Sequence, residues 1–109
     1  MAVVASIEQS NANSFINGTF TATGFSIPLR AQVPFSVSIR GTFVGTISLQ
    51  RSFDGGATYG IYTLPASNSA ATWTAPVEID VVPTGESGVL YELSCTAYTS
   101  GTVTYRLSH

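Results

Sequence analysis

The chain has no lysine, a single cysteine, a single histidine and few charges of either sign, and each scarcity removes a class of function. Four arginines against six acidic residues give a formal net charge of −2, so there is no basic footprint for nucleic acid or for an anionic membrane. Cys95 is the lone thiol, which excludes a disulfide framework and leaves no paired cysteines for a metal site. His109 is the last residue in the sequence, where chains fray, so Ser-His-Asp and Cys-His nucleophile arrangements lack a positioned base. A zinc site fails on ligand count, and a calcium site at Asp54 lacks carboxylate neighbours. No run approaches the length of a membrane span, and "MAVVASIEQSNANS" has neither a basic leader nor an apolar stretch of signal-peptide length, so synthesis and folding in the cytoplasm are expected.

What remains is a chain of 109 residues that is 44% hydrophobic and only 9% charged, against about 25% in an ordinary soluble domain. Serine, threonine and glycine fill the gap. One domain spanning residues 1–109 is expected, with the polar segment 1–13 a candidate N-terminal arm. Edge lysines and mixed surface charge are what keep β-proteins apart, so a surface this poor in charge points to a protein covered by neighbours, including its own copies.

Short alternating runs punctuated by glycine and proline predict an all-β fold, and helix signals are missing. Phe35, Val37 and Ile39 alternate with Ser36, Ser38 and Arg40, and after Gly41 the parity continues through Phe43, Ile47, Leu49 and Phe53. Arg51 falls on that inward face. It needs a carboxylate or a snorkelling route to water, with Asp54, Glu78 and Asp80 the candidate partners, and is read as structural. Near the end of the sequence Val89, Tyr91, Leu93, Cys95 and Ala97 share a face, making Cys95 a core residue. A three-residue loop around Gly101 would pair Ala97 with Tyr105 and Cys95 with Leu107. Val77, Ile79 and Val81 alternate with Glu78 and Asp80 between two prolines, as suits an edge strand. Further strands near 15–22, 25–29, 59–64 and 71–74 bring the count to about eight, enough for a single antiparallel β-sandwich or jelly roll. Asn17-Gly18-Thr19 matches a glycosylation sequon but is read as a turn or bulge.

Within "RSFDGGATYG" the spacing Ser52-x-Asp54-x-Gly56-x-Thr58-Tyr59 resembles the Asp-box hairpin of sialidase-type propellers. Hairpin physics accounts for it: Asp54 accepts from the backbone of its own turn, Gly55 and Gly56 supply positive φ, and Thr58 and Tyr59 start the returning strand. In families that carry it the element is a fold-stabilising turn away from the catalytic centre, so the resemblance implies no hydrolysis. Glycosidase chemistry would need two carboxylates across a sugar, whereas Glu78 and Asp80 share one solvated face. No enzyme, no catalytic residue and no cofactor is expected.

Three stretches, "INGTFTATG", "FSVSIRGTFVGTISLQRSFDGGATY" and "GVLYELSCTAYTSGTVTYRLS", resemble a family of small proteins encoded among the virion genes of tailed bacteriophages. Similar sequences carry tryptophan after the Asp-box threonine, where this chain has Tyr59. The resemblance implies a virion protein. One placement is a capsid decoration or cement protein on the head exterior, a homo-oligomer that binds the major capsid protein lattice and stabilises it by mass action. Another is a tail or baseplate module. A third reading is a carbohydrate-binding module acting in host adsorption, with Tyr59, Tyr62, Trp73 and Tyr98 as stacking faces. The outward row Ser36, Ser38 and Arg40 and the edge strand with Glu78 and Asp80 are the candidate contact surfaces.

Overall fold

The computed structural model describes residues 15–65, 67–83 and 88–109; the candidate arm 1–13 lies outside the described residues. Twelve strand segments and no helix are present among them: β1 (Phe15–Phe20), β2 (Gly24–Phe25), β3 (Leu29–Arg30), β4 (Phe35–Arg40), β5 (Phe43–Ser52), β6 (Gly60–Ile61), β7 (Thr63–Leu64), β8 (Ser69–Ala70), β9 (Thr72–Trp73), β10 (Val77–Val81), β11 (Leu90–Gly101) and β12 (Val103–Ser108). Every pairing is antiparallel. One sheet runs β1-β12-β4-β10; the other is built on the long β5-β11 pair, with β2 and β3 flanking β11 and β6 and β9 flanking β5.

The twelve segments amount to about eight strands because two edges are broken. Ser26 lies between β2 and β3, where its amide donates to the Leu93 carbonyl and its Oγ accepts from the Leu93 amide, so the side chain keeps the ladder closed across the break. On the other edge the partner of β5 changes at Leu49: Tyr62 N donates to Leu49 O, and Leu49 N to Ala71 O. The intervening residues fold out as the β7-β8 hairpin, whose turn places Asn68 at φ 56°. With each broken edge counted as one strand, the connectivity is compatible with a jelly roll.

The two sheets form a β-sandwich because their alternating apolar residues meet in one core. The β1-β12-β4-β10 sheet supplies Phe20, Phe35, Val37, Ile39, Val81, Val103, Tyr105 and Leu107; the β5-β11 sheet supplies Leu29, Ile47, Leu49, Tyr62, Ala71, Tyr91, Leu93 and Cys95. The Phe35 and Tyr91 rings, one from each sheet, meet edge-on at 4.9 Å between centroids. Each such aliphatic or aromatic side chain taken fully from water contributes about 1.5–3 kcal/mol.

Four expectations are corrected. First, β11 and β12 do not pair as a hairpin. β11 pairs with β5 and β12 with β4 and β1, so Ala97 is not opposite Tyr105 and Cys95 is not opposite Leu107. The Gly101 turn is a corner between sheets, and the Gly41 turn from β4 to β5 is a second corner beside it, joined by Thr102 N donating to Thr42 O at 3.1 Å. The local alternation satisfies either arrangement, and only the inter-sheet corner lets both faces reach one core. Second, β11 carries register shifts between Cys95 and Ala97 and between Tyr98 and Ser100, so Ala97 is exposed and Tyr98 turns to pack on the core. Third, Gly18 is in neither a turn nor a bulge: it sits in regular β1 opposite Tyr105, whose ring occupies the space a side chain would fill. Fourth, Phe53 is exposed, because β5 ends at Ser52 and the chain has entered the turn.

Candidate interaction surfaces

The Asp-box turn is a closed network around two side chains. Ser52 is buried at the end of β5; its Oγ donates to Asp54 Oδ1 at 2.7 Å and accepts from the amides of Gly56 at 2.9 Å and Asp54 at 3.3 Å. Asp54 accepts further from the Thr58 amide at 3.0 Å and the Thr58 hydroxyl at 2.6 Å. Donation by the Thr58 hydroxyl and amide, then by Ser52, holds the Asp54 carboxyl at about 2, below its ordinary 3.8. Gly55 and Gly56 adopt φ of 76° and 99°. Every lone pair thus engaged serves the turn, so the carboxylate is committed to structure.

Arg51 lies half-buried on the inner face at the end of β5, and no carboxylate pairs with it among the described residues. Its guanidinium carbon stands 4.7 Å from the centroid of Phe53 and 5.0 Å from that of Tyr62. The ring faces take the place of the expected anion, a type of contact worth about 0.5–2 kcal/mol each. The three candidate carboxylates are engaged elsewhere: Asp54 in the turn, Glu78 with Arg40, and Asp80 with the Ser36 hydroxyl at 2.9 Å.

The two candidate contact surfaces are one surface. β10 is the edge strand and pairs with β4 so that Glu78 faces Ser38 and Asp80 faces Ser36, while β12 on the other side brings Arg106 opposite Ser38. Arg40 ion-pairs with Glu78 and donates to Ser38 Oγ, and Ser38 Oγ donates to Glu78 at 3.3 Å. Arg106 lies over the Phe15 ring at 4.6 Å. A shallow groove of about 510 Å³ runs over Ser36, Ser38, Arg40, Glu78, Asp80 and Arg106. Its two arginines and two carboxylates balance in charge, so a partner would meet a polar, hydrogen-bonding face with little net field.

The four aromatic residues proposed as sugar-stacking faces do not form one platform. Tyr62 is buried in the core, Trp73 is opposite inward-facing Ile47, and Tyr98 packs on the core with its hydroxyl donating to Gly101 O at 2.7 Å. Tyr59 joins an open groove on the outer face of the β5-β11 sheet, with Phe25, Gln50 and Glu92. That group escaped the sequence reading, because Phe25 and Glu92 are distant in the chain and meet only through the pairing of β2 with β11. Among the described residues no three histidine, cysteine, aspartate or glutamate side chains stand together to hold a metal, and no helix is long and apolar enough to cross a membrane. No family model, curated protein or solved structure matches the chain.

Proposed function

We propose that the chain is a non-enzymatic structural protein of a tailed-phage particle, a decoration or cement protein that docks on the major capsid protein lattice of the head. The observation that carries this reading is the surface: Phe25, Ile27, Val44 and Val82 are each more than half exposed on a chain of which only 9% is charged. Isolated in solution such a surface invites association, whereas an assembly covers it. The resemblance of three stretches to phage virion proteins supplies the kind of assembly. Many copies that bind the mature lattice and not its precursor stabilise the shell by mass action, and contacts between copies add avidity. The self-paired polar face around Arg40 and Glu78 suits docking against a subunit without a strong charge requirement.

The test is immunogold labelling of intact particles of the encoding phage with antibody to this chain. Label over the head is expected, together with earlier DNA release on heating from particles that lack the protein. Label confined to the tail would move it to the baseplate and revive host adsorption as its task, and unlabelled particles that also lack the chain by mass spectrometry would overturn the virion reading.

A further inference from the structure

The groove on the outer face of the β5-β11 sheet contains a carboxylate with no partner. Glu92 is only 6% exposed, yet no hydrogen bond or ion pair reaches it among the described residues. Gln50, its cross-strand neighbour on β5, is half-buried and equally without a hydrogen bond. To one side stands Phe25, 68% exposed on β2; to the other stands Tyr59, at the return of the Asp-box turn. Together these four side chains line a trough of about 510 Å³ with two aromatic walls and an amide and a carboxylate at its base.

A buried carboxylate is costly unless something offsets its lost hydration, and burial pushes Glu92 above its ordinary value. Among the described residues no cation pairs with it. There is no lysine; Arg40 is held by Glu78, Arg51 by Phe53 and Tyr62 and Arg106 by Phe15, while Arg30, exposed on β3 opposite Leu90, makes no ion pair with Glu92. A carboxylate between two aromatic faces has the chemistry that receives a guanidinium, which pairs with the carboxylate in its plane and stacks against rings. We propose that the Phe25-Gln50-Tyr59-Glu92 trough is a binding site for an arginine side chain presented by a partner protein. A sugar would pack the C–H face of its ring on the same aromatic walls, but it would leave the charge of Glu92 without a counter-charge. The inference stands apart from the virion placement and holds for any partner with an exposed arginine.

The experiment is a titration followed by amide resonances, with Nα-acetyl-arginine amide as probe, the isosteric neutral Nα-acetyl-citrulline amide as control, and maltoheptaose as a neutral sugar. The arginine probe is expected to shift the resonances of Phe25, Gln50, Tyr59 and Glu92 saturably in the millimolar range, with citrulline at least about tenfold weaker. Glu92→Gln keeps the shape and removes the charge, and should abolish the preference for arginine over citrulline. Phe25→Ala, at an exposed site where folding is not at risk, should weaken the arginine response several-fold. Equal responses to arginine and citrulline, an unchanged preference in Glu92→Gln, an unchanged response in Phe25→Ala, or shifts at these residues with maltoheptaose alone would each overturn the assignment.

Discussion

Replacing Gly101 by alanine tests the paired corners on which the two-sheet arrangement depends. Gly101 has φ of 91°, and a Cβ built there would lie 2.1 Å from the Thr42 carbonyl oxygen and 2.6 Å from Phe43 Cα. Both are backbone atoms, fixed by the pairing of Gly101 with Phe43, so no flexible side chain can swing away. The backbone conformation costs a non-glycine residue about 1–3 kcal/mol, and forcing the corners apart adds about 1–3 kcal/mol. A loss of about 2–6 kcal/mol is therefore expected, which for a domain of this size lowers Tm by roughly 10 °C or more. Gly55→Ala is the control: its φ is 76° but nothing lies within 4 Å of the added Cβ, so only backbone strain remains, at about 1 kcal/mol. Gly24→Ala, with open space and no left-handed φ, should be neutral or slightly stabilising. Thermal and urea unfolding followed by circular dichroism would rank the three. A Gly101→Ala variant no less stable than Gly55→Ala would refute the close contact between the corners.

Four further substitutions probe other parts of the structure by the same unfolding assays. The Tyr91 hydroxyl is buried without a hydrogen-bond partner, so Tyr91→Phe should leave stability unchanged or raise it by about 1 kcal/mol. Asp54 is held at about 2 by donors that favour its ionised form, so its contribution is complete above 3.8 and declines as pH falls toward 2; Asp54→Asn should flatten that limb of a Tm-against-pH curve. Leu49→Ala, at the fully buried position where the edge strand switches, should cost about 2–5 kcal/mol, while Arg40→Ala, which breaks an exposed ion pair, should cost less than about 1 kcal/mol.

The fold was legible in the sequence wherever one side chain's direction decides its neighbour's. Val37 and Ile39, Val103 and Leu107, and Tyr91 and Leu93 fall on the inner faces because period two and burial on one side leave no other placement. What alternation does not encode is which strand lies beside which. β11 and β12 satisfy the same pattern whether they pair or turn a corner, and the choice rests on tertiary contacts between the Gly41 and Gly101 turns, 60 positions apart in the sequence. Asp54 as acceptor of its own turn's backbone was legible because the turn's partners, Ser52 to Thr58, lie within one short segment, whereas the Ser52 and Thr58 hydroxyl bonds and the start of the return strand at Gly60 were not.

The outer face of the β5-β11 sheet shows why the trough was not legible. Alternation assigns Ser48, Ser94 and Glu92 to water, yet all three are buried. The serines are short: Ser48 Oγ is satisfied by Thr72 Oγ1 at 3.0 Å from the edge segment β9, and Ser94 lies beside Phe25 across the β2 pairing. Taller residues from the two broken edges stand over this low floor, and Glu92 and Gln50 lie between them. The breaks at Ser26 and Leu49 therefore have a consequence beyond topology. They bring short edge segments, with Phe25 on one and Tyr59 leading into the other, up to both sides of the central β5-β11 pair. A sheet with two continuous polar edge strands would have left Glu92 in water, where a lone carboxylate needs no partner. At the base of the trough its carboxylate is left without an ion pair among the described residues, and an arginine from another protein would compensate its charge.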